Sequence, residues 1–283
     1  METSDFYGTE KVSRILLKIA PPVMLAQLIQ ALYNIVDSFF VGKYSETGLT
    51  ALSIIYPVQL LMIALGVGTG VGINTDMAYY LGIGKKKKAE EVAGTGTPLG
   101  LILWIIFAAV CYVTLPAYAG MSTDSPEVIR DVVAYGRIVC LFSIGLFTEG
   151  IWSKILQAEG DMRTPMIAQI AGAVVNIILD PLLIFGMLGM PEMGISGAAV
   201  ATVSGQIVAA LIVMKKAWYR SPRRSCYPGH IKRIYQLGIP NIIMQSAYTL
   251  YILGLNLILA GFSDQAVTTL GLYYKSVSYT HLR

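Results

Sequence analysis

The sequence predicts an all-α polytopic membrane protein: a six-helix bundle, then the first helix, and the start of the next, of a repeated second lobe. Three observations predict it. The 283 residues are 55% apolar and only 13% charged, about half the charged share of a soluble domain. The apolar residues come in blocks of about 20 or more, the length at which a helix crosses a bilayer. The pattern of the first block returns in the seventh.

The blocks run over 15–41, 50–82, 94–120, 128–156, 165–188, 194–214 and 234–261. The longest exceed a straight crossing and predict tilt or interfacial ends. The first reads as a retained span, because no basic segment precedes it and no small-residue cleavage site follows it. On a helical wheel, Gln27, Gln30, Asn34, Asp37 and Ser38 fall within an arc of about 100°. Leu28, Ile29, Leu32, Ile35, Val36, Phe39 and Phe40 lie outside it. A carboxylate in hydrocarbon is costly, so a stripe ending on Asp37 predicts a protein interior or a water-filled cavity on that face.

The second block holds GVGTGVG at 66–72. A phosphate-binding reading fails, since position 71 is Val and no strand precedes the run. Gly66/Gly70 and Gly68/Gly72 instead have the spacing of closely packed membrane helices. Asp76, near the inner end of this block, is expected to reach water. The third block follows the lysines 85–88. In the fourth, Glu149 shares a face with Ser153 and Gln157 that leads inward. In the fifth, Asn176 and Asp180 share a helix face. Pro181 follows and lacks an N–H, so the carbonyl of Ile177 loses its helical partner. A carboxylate, an amide and a freed carbonyl are oxygen ligands suited to Na⁺ or to a proton site. The sixth, MGISGAAVATVSG, has small residues for close approach and adds the hydroxyl of Thr202. Counted from the outer ends of their helices, Asp37, Asp180 and Thr202 lie roughly 6–12 Å deep. This common depth predicts one site.

Charge supplies orientation. With the N-terminus inside, the inner side carries Lys11, Arg14, Lys18, Lys85 to Lys88, Lys154 and Arg163 of a 154–164 loop, and the basic loop 215–233. The outer side has only Lys43, Arg130 and Arg137. This is a positive-inside pattern with a cytoplasmic N-terminus, as expected for a multi-pass protein of the cell membrane. The 85–88 lysines then read as a cytoplasmic anchor at the bilayer surface rather than a nucleic-acid site. Cys111 and Cys140 fall inside spans and Cys226 in a basic loop, so no disulfide frame is expected. No H-E-x-x-H, G-x-S-x-G or Walker A motif is present, which argues against an enzyme or an ATP-driven pump.

The domain reading is a six-helix lobe over 1–219, a basic linker RSPRRSCYPGHIKR over 220–233, and the start of a second lobe over 234–275. The tail 276–283, SVSYTHLR, resembles a translated library adapter and is expected to be foreign to a longer natural protein. Setting Pro22 against Pro240 without gaps pairs Gln27 with Gln245, Tyr33 with Tyr251, Ser45 with Ser263, Thr50 with Thr268 and Tyr56 with Tyr274. An even number of spans separates the copies, so this is a parallel repeat about an axis along the membrane normal. Gln27, Gln30, Tyr33, Asn34, Gln245 and Tyr248 are the candidate lining of a cavity between the lobes.

The sequence resembles the multidrug and toxic compound extrusion family. The resemblance rests on APPVMLAQLIQALYNIVDSFFVG, ILQAEGDMRTP, NIILDPLLIFG and MGISGAAVATVSGQ. It implies twelve helices in two lobes, exchanging Na⁺ or H⁺ for drugs and other organic cations, with no cofactor beyond the coupling ion. It places the first lobe's cation site on Asp37, Asn176, Asp180 and Thr202, with Asp37 and Asp180 as the charged ligands if the ion is Na⁺. It implies hinges at Pro22 and Pro181, a small, cationic substrate and a monomer. The rival is a flippase for lipid-linked sugars. Its anionic cargo would want intramembrane Lys or Arg, and this chain, Arg137 apart, is expected to keep its intramembrane charge on acids.

Overall fold

The computed structural model describes residues 11–280, with side chains through residue 274. Readings that fall on 1–10 or on 281–283 lie outside the described residues. Among the described residues there is no strand. The helices are α1 (Val12–Tyr44), α2 (Glu46–Gly82), α3 (Lys86–Ser122), α4 (Pro126–Leu141), α5 (Ile144–Ala158), α6 (Arg163–Ile184), α7 (Ile195–Ala217), α8 (Tyr227–Ala260) and α9 (Asp264–Thr280). Short 3₁₀ turns at Met187–Gly189 and Arg224–Cys226 join α6 to α7 and lead into α8. The side of the bundle that carries the 85–88 lysines is termed inner, and the opposite side outer.

Each predicted block falls on helix, but the fourth is broken. α4 and α5 meet at a 45° bend. The Ser143 hydroxyl donates to the Cys140 carbonyl (2.7 Å) and the Trp104 indole to the Leu141 carbonyl (2.9 Å). Two carbonyls thus leave the helical ladder without being left unpaired, which is how a polar side chain kinks a helix. The expected linker is also shorter than 220–233. Pro228, at the start of α8, suits a first helical turn, and the chain is helical from Tyr227.

Two apolar clusters form the core. The outer one is built on Ile54, Ile55, Phe107, Tyr135, Phe147 and Ile184. The inner one is built on Ile73, Met77, Ile151, Trp152, Val213 and Ile234. Ile105, Ile106, Val110 and Val113 of α3 stay exposed, as a lipid-facing surface requires. The glycine run on α2 packs as its spacing predicts. A Cβ on Gly72 would strike the Ile234 carbonyl, and one on Gly238 would lie 2.6 Å from the Gly68 carbonyl. α2 and α8 therefore cross backbone to backbone.

Residues paired by the sequence offset touch one another at two places. Thr50 and Thr268, paired by the sequence offset, share a hydrogen bond (Oγ1···Oγ1 2.7 Å). A Cβ on Gly271 would lie 2.5 Å from Oγ of Ser53, its partner under the same offset.

Candidate functional site

A 480 Å³ cavity runs between α1, α2, α4, α5, α6, α7 and α8. Its outer end is walled by Asp37 and Tyr135, its inner end by Pro22, Met162 and Pro165. The polar stripe of α1 faces it. Gln27, Gln30, Tyr33, Asn34 and Asp37 all line the cavity, as do Gln245 and Tyr248 of α8. Leu28, Leu32, Ile35 and Phe39 point away and are exposed. Ser38 is the exception in the stripe: it is buried outside the lining, and its hydroxyl donates to the Asn34 carbonyl (2.9 Å).

The structure brings together the four residues read as a cation site. Asn176 and Thr202 line the cavity opposite Asp37, while Asp180 is fully buried behind Asn176. Nδ2 of Asn176 is shared between Oδ1 of Asp180 (3.4 Å) and Oγ1 of Thr202 (3.5 Å). Asp37 and Asp180 lie within electrostatic reach of each other. Oδ1 of Asn176 and Oδ2 of Asp180 are buried without a hydrogen-bond partner. A buried oxygen with no donor is costly unless something electropositive occupies its front. Among the described residues no three His, Cys, Asp or Glu cluster as metal ligands. A cation here would therefore take carboxylates together with neutral oxygens, a hard-oxygen set that fits Na⁺. α6 runs unbroken through Pro181, and α1 through Pro21 and Pro22.

The sequence reading missed two members of this wall. Tyr135 of α4 is buried, and its hydroxyl accepts from Nε2 of Gln59 (3.2 Å) and pairs with Thr202. Gln59, a lone amide in an apolar stretch of α2, is the same anomaly that marks Asp37. Tyr135 carries no such mark, because a tyrosine is ordinary in a membrane helix.

Two expectations are corrected. Asp76 does not reach water. It is fully buried and ion-paired with Arg233, whose guanidinium lies over Tyr79 (4.8 Å) and Tyr80 (5.2 Å). α8 begins early enough to deliver that arginine to α2. Lys154 is not in a cytoplasmic loop. It sits on α5 and lines the cavity with Glu149, Ser153 and Gln157. The acids of the cavity thus share it with a base. Arg137 lies apart from the cavity lining, over the ring of Tyr112 (5.0 Å).

The motif ILQAEGDMRTP ends in a helix cap. Oδ1 of Asp161 accepts from the backbone N–H of Arg163 (3.1 Å) and Thr164 (3.0 Å), and Oδ2 from Nζ of Lys216 (3.1 Å). Burial pushes this carboxyl up, but Thr164 and Lys216 together hold it below its ordinary value.

Membrane-length helices around a polar cavity with acids in its walls are the architecture of a polytopic transporter. The sequence model of the MatE family matches residues 22–182. The chain belongs to that family, whose members are transporters rather than enzymes. It is 26% identical over 299 residues to the multidrug export protein MepA of Staphylococcus aureus, covering 100% of this chain and 64% of that protein. It is 28% identical over 201 residues to an FAD transporter of Shewanella oneidensis, covering 70% of this chain and 44% of that protein. The solved MATE multidrug transporter DinF-BH superposes with a TM-score of 0.88 at 26% identity, over 96% of this chain and 62% of that one. The chain thus spans less than two thirds of the length of these relatives.

Proposed function

We propose that the protein to which this chain belongs is a monomeric antiporter of the cell membrane, with its N-terminus in the cytoplasm, exporting small organic compounds in exchange for Na⁺ or H⁺. One observation carries the reading: Asp37 stands in the wall of a cavity, only 5% exposed, facing Asn176 and Thr202 with Asp180 behind them. A buried acid in the wall of a membrane cavity, with a second just behind the wall, is useful where charge is filled and emptied.

A cation entering from outside would be held by the carboxylates of Asp37 and Asp180, by Oδ1 of Asn176 and by the hydroxyl of Thr202. Its charge cancels part of the field that favours a cationic cargo in the same cavity, and α1 shifts about Pro22 as cargo leaves. Release of the cation inward restores the acids and the affinity for cargo. Coupling requires only that the ion bind one of the two arrangements of α1 better than the other. The FAD-carrying relative does not bring the lipid-linked-sugar reading forward, since the other relatives named above are multidrug transporters.

Efflux of a dye from proteoliposomes of the full-length protein, driven by a Na⁺ or proton gradient, tests the proposal. Asp37→Asn abolishes gradient-driven efflux. Wild-type efflux from that variant would refute the coupling role.

A further inference from the structure

We propose that Lys154 is an anion-recognising residue of the cavity, so that the cargo bears an acidic group, carboxylate or phosphate, beside any cationic part. This deepens the function proposed above and rests on it for the word cargo, though the binding itself does not require transport.

Lys154 lies on the second half of a broken span, not at a membrane surface. Its carbonyl accepts from Nδ2 of Asn74 (2.8 Å), which fixes its place midway down the inner half of α2. Its stem packs on Gly70, where a Cβ would come within 2.8 Å of the lysine Cγ. The missing side chain at position 70 is what lets the amine enter the cavity wall. There its Nζ donates to Oε1 of Gln157 (2.9 Å), a neutral amide.

The nearest countercharge, Glu149, attracts Lys154 through space, but its hydrogen bonds go to other groups. Oε1 of Glu149 accepts from the Ser153 hydroxyl (2.6 Å), and Gln169 also bonds to this carboxylate. The ion pairs Arg130–Asp131, Lys216–Asp161, His230–Glu91 and Arg233–Asp76 include neither Lys154 nor Glu149. Lys154 and Glu149 are therefore close in the same wall yet each is held by neutral groups. An ammonium has three donors, and the amide of Gln157 takes one. A basic group this deep in a membrane protein marks a functional position by default. The residue stands in the cavity lining, where an anionic group on the cargo would take its remaining donors. Glu149, less than two turns away, would take a cationic part of the same molecule. The cavity thus has an acid, Asp37, at its outer end and a mixed acid–base pair at its inner end, a wall suited to dipolar molecules.

The test compares two dyes that differ only at one carboxyl: rhodamine 110, with a free acid, and its methyl ester, rhodamine 123. Binding to the purified full-length protein is read by fluorescence anisotropy with no ion gradient. A charge-assisted hydrogen bond is worth about ten- to a hundredfold in affinity. Lys154→Gln keeps a hydrogen-bonding side chain and removes the charge. It should weaken rhodamine 110 by about tenfold or more and leave rhodamine 123 within about twofold. Lys154→Arg should keep rhodamine 110 binding within a few-fold. An equal loss for both dyes would mean that Lys154 only holds α5 in place, and would overturn the proposal. So would unchanged rhodamine 110 binding, or a wild type that does not bind it. Failure of the coupling mechanism would appear instead in gradient-driven efflux by Asp37→Asn, which this assay does not touch.

Discussion

Removing Arg233 should destabilise the protein through Asp76, and the size of the loss can be worked from burial. Asp76 has no exposed surface, while the side chain of Arg233 keeps 42% of its own. Breaking a fully buried ion pair costs about 3–5 kcal/mol, because the surviving charge is left desolvated. Here one end of the pair is open to solvent, which screens the pair and lets water follow the arginine out. A cost of about 1–3 kcal/mol is therefore expected for Arg233→Ala. At about 2–4 °C per kcal/mol this lowers the apparent Tm of the detergent-purified protein by roughly 2–12 °C. A double-mutant cycle separates the causes. Asp76→Asn removes the charge that Arg233 satisfies, so adding Arg233→Ala to Asp76→Asn should cost much less than Arg233→Ala alone. If the two substitutions add, the loss comes from the stacking of Arg233 on Tyr79 and Tyr80, and the electrostatic account is wrong.

Two further outcomes are expected from the site and its surroundings. Tyr135→Phe removes the hydroxyl that joins Gln59 to Thr202 and leaves the Gln59 amide unpaired. It should raise the half-activating concentration of the coupling cation several-fold while dye binding is unchanged; equal effects on both would show a general loosening of α4. Asp161→Ala removes an N-terminal cap of α6 and should cost about 1–2 kcal/mol at neutral pH. Because the folded state holds the Asp161 carboxyl below its ordinary value, its contribution is present above the unfolded pKa of about 4 and is lost as pH falls through the folded one. The Tm difference between wild type and Asp161→Ala should therefore shrink below about pH 4; a gap that widened in acid would contradict this sign.

What the sequence revealed is what costs energy in a membrane. Asp37, Asn176 and Asp180 stand out because polar groups among apolar neighbours need a reason, and their helical spacing turned that into a direction. Gly68 and Gly72 stand out because absent side chains permit close crossing. Lys154 was legible as a charge but not as a position. Its place in the cavity wall rests on the long-range bond of Asn74 to its carbonyl and on the bare Gly70 against which its stem packs. Asp76 was misread for a similar reason: a charge near a helix end usually reaches water, and only the early start of α8 brings Arg233 over it. Both misreadings are of long-range contacts made by a local element of ordinary composition.

The repeat gives a sharper instance, because a prediction of register was made from weak similarity. Two residues related by a two-fold operation touch each other only where the axis passes between them. Thr50 with Thr268, and Ser53 with Gly271, are such pairs under the offset that aligns Pro22 with Pro240. A register shifted by one residue would bring neither pair into equivalence. A two-fold axis under this offset would run between α2 and α9 near their outer ends, beside the cavity that α1 and α8 help to line. The same offset sets Leu255 against Asp37 and Asn256 against Ser38. The first helix of the second lobe thus repeats the geometry of α1 without its acid. The buried Asn256 instead donates to the Ser53 carbonyl (3.4 Å), tying α8 to α2 beside the axis. In this pair of helices the acid of the candidate site lies on α1, while α8 supplies packing and part of the cavity wall.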